Sequence, residues 1–116
     1  MKASLDVLSS APGRTVAIMG DMLELGKDEK ALHYEIGEYA ARKGIDLIIC
    51  IGELASEICR GASNTGFGTK ALHFDSKEAF LENMPSLLQK GDTVLVKASN
   101  SMKFPEIVNA LREFYA

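Results

Sequence analysis

The feature that most constrains the fold is a regular alternation of short apolar runs with longer amphipathic segments. Four runs have the length and composition of β-strands: residues 14–19 (RTVAIM), 46–51 (DLIICI), 70–74 (KALHF) and 93–97 (TVLVK). Segments with helical spacing precede, separate and follow them, and no Asn-Gly or Asp-Gly hairpin turn joins two runs. Strands that alternate with helices predict a parallel sheet covered on both faces.

We therefore expect an α/β fold: a three-layer, doubly wound, Rossmann-like and mostly parallel sheet with helices on both faces. The expected strand order is 3-2-1-4. A chain of 116 residues is expected to form a single domain over residues 1–116. The runs 46–51 and 93–97 are almost wholly apolar, which predicts strands buried on both sides.

Charge and hydropathy exclude several classes of protein. The net charge is −3 and Lys and Arg are scattered, which argues against a nucleic-acid surface. No apolar run approaches the ~20 residues of a membrane span, and Asp6 interrupts the segment where a signal peptide would be apolar. We therefore expect a cytoplasmic protein with no membrane partner. Cys50 and Cys59 lack the spacing of a zinc site or a disulfide framework, so we interpret them as small buried thiols.

The loop after the first strand, GDMLELG at residues 20–26, does not match a nucleotide-binding pattern. A dinucleotide-binding fold would place three spaced glycines here, and Gly20 and Gly26 do not make a phosphate loop either. The loop instead carries Asp21 and Glu24 among apolar side chains. Asp21 is either a turn residue that accepts backbone N–H groups or a site residue.

Ligands of open parallel sheets bind beyond the carboxyl ends of the strands, near the point where the strand order reverses. In the order 3-2-1-4 this rule brings together the loops after the first and fourth strands. Lys97 would need water, a carboxylate or a ligand for its ammonium group, so it either pairs with Asp21 or binds an anion. The polar residues after it are helix-start residues that would also suit a ligand carboxylate: Ser99, Asn100 and Ser101.

The two histidines do not form a recognisable catalytic pair. His33 falls on the second helix, and His73 alternates with Leu72 and Phe74 in the third strand. Neither has a plausible Cys or Ser partner, so no nucleophile–base pair is predicted. The residues alone predict an α/β domain with a polar crevice.

Two long segments carry a specific resemblance. The stretch from Gly13 to Ala55, GRTVAIMGDMLELGKDEKALHYEIGEYAARKGIDLIICIGELA, and the later VLVKASNSMKFPEIV are similar to the C-terminal domain of the Mur ligases. The shared pattern comprises G-D-M-x-E-L-G after a strand, a histidine shortly after it (His33) and GID before the second strand. The resemblance covers essentially the whole chain and is closest to members that take D-Ala-D-Ala as the incoming amine.

The resemblance implies a larger enzyme than this chain. Mur ligases have an N-terminal domain for the UDP-sugar substrate, a central ATPase domain and this C-terminal domain. ATP phosphorylates a substrate carboxylate, and the incoming amine attacks the acyl phosphate. ATP and Mg are bound mainly by the central domain, so the isolated chain is expected to hold no cofactor or metal, to contain no catalytic residue and to be inactive. Its partners would be the N-terminal and central domains, with ATP and D-Ala-D-Ala bound in the intact enzyme.

The resemblance also implies roles for individual residues. Six positions would face substrate or ATP: Asp21, Lys97, Ser99, Asn100, Ser101 and Met102. Three apolar residues of the first loop would dock on a neighbouring domain: Met22, Leu23 and Leu25. Two positions depart from the family pattern, since Ala98 stands where the family has glycine and Asn100 where it has arginine. Loss of that fixed-charge, bidentate donor leaves open whether Asn100 contacts a ligand.

Two alternatives belong to other functional classes. A receiver-like phosphoacceptor domain would use an acidic pair after strand one, an aspartate after strand three and a lysine, loosely matched by Asp21, Asp75 and Lys97. The order 3-2-1-4 would separate the two aspartates by roughly 10 Å, too far for a shared metal. A standalone small-molecule-binding domain is the other alternative.

Overall fold

The structure is a computed structural model that describes residues 2–21, 28–65, 68–97 and 105–115. Nine elements alternate strictly along these residues. They are α1 (Lys2–Ser9), β1 (Thr15–Gly20), α2 (Glu29–Arg42), β2 (Leu47–Ile51), α3 (Ser56–Asn64), β3 (Lys70–Phe74), α4 (Lys77–Leu87), β4 (Thr93–Lys97) and α5 (Pro105–Phe114). The described strands form one parallel sheet in the order β3-β2-β1-β4, which confirms the predicted fold class and strand order.

Alternating side chains of the central strands build two cores, one on each face of the sheet. Ala17 and Met19 of β1 face the core formed with α1, α2 and α3. Val16 and Ile18 face the opposite core, formed with α4 and α5. Because successive residues of a strand point to opposite faces, this arrangement gives the three expected layers.

The edge strands differ from the central pair. Every residue of β1 and β2 is buried, as a strand covered on both faces requires. In β4, by contrast, residues 93–96 are half-buried and Lys97 is exposed. The prediction that residues 93–97 form a fully buried strand is therefore wrong, because β4 pairs with β1 on one side only and is an edge of the described sheet.

Helices α2 and α3 pack backbone to backbone. A Cβ placed on Gly37 would lie 1.9 Å from the carbonyl oxygen of Ile58, and one on Gly61 would lie 2.1 Å from that of Tyr34. Only glycine leaves room for this approach, so the two glycines set the spacing of the helices. This contact holds α3 against the helix that follows the first loop.

Three local predictions about helix ends are corrected. Helical spacing predicts a helix at about residues 53–62, but α3 begins at Ser56 because residues 53–55 form a turn. Asp75 with Glu78 three residues later predicts a cap at Asp75, but the cap of α4 is Ser76, whose hydroxyl accepts from the backbone N–H of Ala79 at 3.1 Å. Pro85 predicts that the helix ends or restarts there, but it lies in the last turn of α4, where its missing N–H removes one helical bond and the helix continues to Leu87.

Candidate functional site

The candidate site is the edge of the sheet where the parallel strands end. Asp21 follows β1, Gly52 follows β2, Asp75 follows β3 and Lys97 is the last residue of β4. Met19 is the register partner of Lys97 in the β1–β4 pairing, so Asp21 lies two residues beyond the position level with that lysine. The structure thus brings the ends of the first and fourth strands together, as predicted.

The carboxylate of Asp21 is occupied by the neighbouring β2–α3 turn. Its Oδ1 accepts a hydrogen bond from the backbone N–H of Ala55 at 2.7 Å. Ala55 directly precedes α3, so the bond ties Asp21 to the turn from which that helix starts. The predicted turn role has Asp21 accept nearby backbone N–H groups, whereas the donor observed here is 34 residues away in the chain.

Gly52 makes room for that carboxylate. Its φ of +115° is one that L-amino acids with side chains rarely adopt, and a Cβ here would lie 2.5 Å from Oδ1 of Asp21. Gly52 therefore satisfies two requirements at once, the turn out of β2 and the space for Asp21. A glycine directly after the apolar run 46–51 predicts a turn at Gly52, but not its contact with Asp21.

A second polar contact continues across the same edge to β3. Nε2 of His73 lies 2.8 Å from the carbonyl oxygen of Gly52, and because a carbonyl only accepts, Nε2 is the donor. The Gly52 N–H in turn donates to the carbonyl oxygen of Phe74 at 3.0 Å. The loops after β1, β2 and β3 are thus joined through Asp21, Gly52 and His73, which is a positioning arrangement without a nucleophile.

Lys97 is left facing outward at this edge. It is exposed, and in the described parts of the chain no ion pair joins it to Asp21, whose Oδ1 bonds Ala55 instead. The predicted alternative of an Asp21–Lys97 ion pair is therefore wrong for this structure. The other alternative, an anion-binding lysine, agrees with this exposure.

The remaining predicted site residues lie outside the described residues. These are the substrate- or ATP-facing Ser99, Asn100, Ser101 and Met102, the docking residues Met22, Leu23 and Leu25, and Glu24. Their predicted roles rest on the sequence alone.

His33 is a buried residue of α2 rather than a group at the strand ends. Its Nδ1 lies 2.5 Å from the carbonyl oxygen of Glu29, one turn earlier in the same helix, and the side chain is fully buried. Nδ1 donates this bond, because the carbonyl only accepts. The histidine that follows the GDMxELG segment is thus buried in the packing of α2.

The receiver-like alternative is not supported by the sheet order. Strand β2 separates β1 from β3, so Asp21 and Asp75 follow strands that are not neighbours. The side chain of Asp75 is almost fully exposed, and its described partner is His73 at 3.9 Å. Among the described residues, no group of three or more His, Cys, Asp or Glu side chains is placed to hold a metal ion.

An open groove of about 630 Å³ lies along α2 and the start of α3. The guanidinium of Arg60 donates to both carboxylate oxygens of Glu57, at 2.9 and 2.7 Å, and lies 5.6 Å from the ring centroid of Tyr34. No Ser, Cys or His is found among the described residues that line the groove, so we assign it no chemistry.

In the described ranges of the chain, no helix is long and apolar enough to cross a lipid bilayer.

Comparison with known proteins adds the family. Residues 1–100 match the model of the Mur ligase C-terminal family, described as the Mur ligase glutamate ligase domain. The chain is 36% identical over 115 residues to the UDP-N-acetylmuramoyl-tripeptide–D-alanyl-D-alanine ligase of Escherichia coli and 35% identical over 115 residues to that of Bacillus subtilis. These alignments cover 97% of this chain but 24% and 25% of those ligases, so the chain spans about a quarter of their length.

Solved structures agree with the sequence relatives. MurF from Acinetobacter baumannii superposes with a TM-score of 0.84 at 28% identity, over 97% of this chain and 25% of that one. MurF from Thermotoga maritima, solved in complex with ADP, gives a TM-score of 0.74 at 26% identity, over 96% of this chain and 24% of that one. Because the family model covers most of the chain and the fold agrees, this chain belongs to the Mur ligase family, as its C-terminal domain.

Proposed function

We propose that this chain is the C-terminal domain of an ATP-dependent ligase that adds D-Ala-D-Ala to UDP-MurNAc-tripeptide in peptidoglycan precursor synthesis. The observation that carries the proposal is the 36% identity to the E. coli ligase across 97% of this chain. The fold and the open strand edge support it. The cytoplasmic location expected from the sequence is part of the same proposal.

In the proposed reaction, the tripeptide carboxylate attacks the γ-phosphorus of ATP, and ADP leaves. The amine of D-Ala-D-Ala then attacks the acyl phosphate, an amide bond forms, phosphate leaves and the amine loses a proton. We assign this chemistry to the complete enzyme, with ATP and Mg²⁺ held mainly by its central domain. The described residues include no cluster suited to Mg²⁺, so we derive no step of this chain from the metal.

The role proposed for this chain is to close over the central domain with the strand edge facing it. Lys97 is exposed at that edge and would offer its ammonium to a phosphate or carboxylate. We include Ser99, Asn100, Ser101 and Met102 as residues facing substrate or ATP, and Met22, Leu23 and Leu25 as residues that dock on the central domain. Asp21 belongs to the same edge. The isolated chain would be inactive, because most of the active site lies in the other domains.

An assay of the complete protein tests this activity. It would be incubated with UDP-MurNAc-tripeptide, ATP and D-Ala-D-Ala, and the products followed by mass spectrometry and by ADP release. We expect the pentapeptide product and one ADP per amide bond. Single amino acids in place of D-Ala-D-Ala serve as the control for the incoming amine. Ligation of a single amino acid in preference to the dipeptide would overturn the assignment.

A further inference from the structure

Asp21 lies at the carboxyl end of β1, and its carboxylate is already hydrogen-bonded to the backbone N–H of Ala55. It follows the last residue of β1, at the edge where ligands of such sheets bind, and it directly precedes residues 22–27. Its Oδ1 nevertheless accepts from Ala55 N–H at 2.7 Å, and the carboxylate fills the space that a Cβ on Gly52 would occupy. The hydrogen bond of this carboxylate to the protein's own backbone gives it a structural role.

We propose that Asp21 is a positioning residue of the ligase, fixing the exit of the chain from β1 by its bond to Ala55 beside Gly52, rather than contacting substrate or ATP. This inference rests on the proposed function and refines the role of one residue in it. Because Asp21 is the last described residue before residues 22–27, its bond to Ala55 fixes the point from which the chain leaves β1. Met22, Leu23 and Leu25, proposed to dock on the central domain, belong to that segment.

The rest of the strand edge supports the same interpretation. The turn that holds Asp21 is itself fixed, since His73 Nε2 donates to the Gly52 carbonyl oxygen at 2.8 Å and Gly52 N–H donates to Phe74. Helix α3, which begins just after Ala55, is locked against α2 at Gly37 and Gly61. Asp21 is therefore anchored to a rigid part of the domain, which is what accurate placement of a docking segment requires.

The first experiment compares two substitutions of Asp21 in the complete ligase. Asp21→Ala removes the acceptor, and we expect kcat/KM to fall by about tenfold or more, as for a misplaced segment remote from the reacting atoms. Asp21→Asn keeps a side-chain carbonyl oxygen that can accept from Ala55 N–H, and we expect it to recover most of that loss. If the Asp21 carboxylate instead contacted a ligand or cation through its charge, both variants would remove that charge and both would lose activity.

A matched control removes a similar bond at the opposite end of the central strands, where β1 and β2 begin. Oδ2 of Asp46 accepts from the backbone N–H of Thr15 at 2.9 Å, at the start of β1. We expect Asp46→Ala to lower the melting temperature to a similar extent as Asp21→Ala but to leave kcat/KM of the folded enzyme unchanged. The comparison separates positioning from a general loss of stability.

A substitution at the neighbouring Gly52 also displaces the Asp21 carboxylate. Gly52→Ala would place a Cβ 2.5 Å from Asp21 Oδ1 and displace it, so we expect the same loss of kcat/KM as for Asp21→Ala. Gly91→Ala is the control for backbone strain, since Gly91 has a φ of +93° but no atom within 4 Å of an added Cβ. We expect Gly91→Ala to keep kcat/KM.

Hydrogen exchange gives a readout that does not depend on activity. Exchange of the peptides that contain residues 22–27 and Ala55 should accelerate in Asp21→Ala and Gly52→Ala, and not in Asp46→Ala. Failure of the wild-type enzyme to ligate D-Ala-D-Ala would overturn the proposed function while these exchange rates still test the anchor. The positioning role is overturned if Asp21→Asn is as inactive as Asp21→Ala, if Asp21→Ala keeps full activity, or if the exchange rates do not change.

Discussion

Arg14 and Asp92 join the starts of the first and fourth strands through a bidentate ion pair. Nε of Arg14 donates to Oδ1 of Asp92 at 2.9 Å, and Nη2 donates to Oδ2 at 2.7 Å. Nη2 also donates to the carbonyl oxygen of Leu87 at 2.8 Å, which ties in the end of α4. The side chain of Asp92 is 2% exposed and that of Arg14 is 30% exposed, so the carboxylate is shielded from solvent, and the pair stabilises the β1–β4 pairing.

The Arg14–Asp92 pair predicts a pH-dependent contribution to stability. Hydrogen bonding from Arg14 lowers the pKa of Asp92 below its ordinary value. A lowered pKa in the folded state stabilises the protein fully above the unfolded-state pKa of about 3.9 and progressively less as pH falls through the folded-state pKa. We expect Asp92→Asn to lower the free energy of unfolding by about 2 kcal/mol at pH 7 and by less at pH 3.

Urea titrations of the wild type and Asp92→Asn at pH 7 and pH 3 measure the difference in their free energies of unfolding. Glu38→Gln is the control, because the Arg42–Glu38 pair is an exposed i,i+4 contact at 3.6 Å and should contribute under about 0.5 kcal/mol. A destabilisation by Asp92→Asn that is equal at pH 3 and pH 7 would argue against this role of Asp92.

The close approach of α2 and α3 predicts a large penalty for a single methyl group. Gly37→Ala would place a Cβ 1.9 Å from the Ile58 carbonyl oxygen, so the helices must separate. We expect a loss of about 3 kcal/mol in the free energy of unfolding, as for an overpacked core. Ser63→Ala, at an exposed position on α3, is the control and should change stability by about 0.5 kcal/mol or less. Equal stability of Gly37→Ala and the wild type would contradict the observed helix spacing.

The two thiols should differ in reactivity. Burial raises the pKa of Cys50 well above its ordinary value, whereas a hydrogen bond from Cys50 lowers the pKa of Cys59. Because the thiolate is the reactive form, we expect a thiol reagent at pH 8 to label native protein at Cys59 first. Cys59→Ser should abolish the fast phase of labelling, whereas Cys50→Ala should slow it, because the hydrogen bond that lowers the pKa of Cys59 is lost. Fast labelling of Cys50 in the folded Cys59→Ser protein would be the opposite result.

Lys97 is the described residue on which the anion-binding role can be tested directly. In the complete ligase, we expect Lys97→Ala to lower kcat/KM by at least about tenfold, as for the loss of one charged donor at a transition state. Lys90→Ala is the matched control, since Lys90 is also exposed but lies before β4, at the opposite end of that strand. If both variants lose activity equally, the position of Lys97 at the strand edge has no special role.

Much of the fold could be predicted because it follows from local patterns. The buried runs TVAIM and LIICI and the turns between elements predict a parallel sheet, and the order β3-β2-β1-β4 agrees with it. Two errors arose elsewhere. The partial exposure of β4 follows from its place at the edge of the sheet, which the expected order 3-2-1-4 already implies, and the late start of α3 follows from the turn at residues 53–55.

The candidate site was only partly predictable, because a contact between residues distant in the chain decides it. Sequence position identified Asp21 and Lys97 as residues at one edge of the sheet, but not that Asp21 bonds Ala55 rather than Lys97. That partner is 34 residues away and becomes available only because Gly52 has a positive φ and no side chain. A glycine directly after a buried strand was the available signal, and it predicts a turn without identifying the residue that fills the space.

The most direct test of the central claim is whether ligation depends on this chain. The complete ligase would be compared with a version that lacks residues 1–116, and the purified chain would then be added back to the truncated protein. Formation of UDP-MurNAc-pentapeptide from the tripeptide, D-Ala-D-Ala and ATP is the quantity measured. We predict that truncation abolishes the product, that the chain alone makes none and that adding it back restores measurable ligation. Ligation at the full rate without the chain, or no recovery at any concentration of folded chain, would contradict the account.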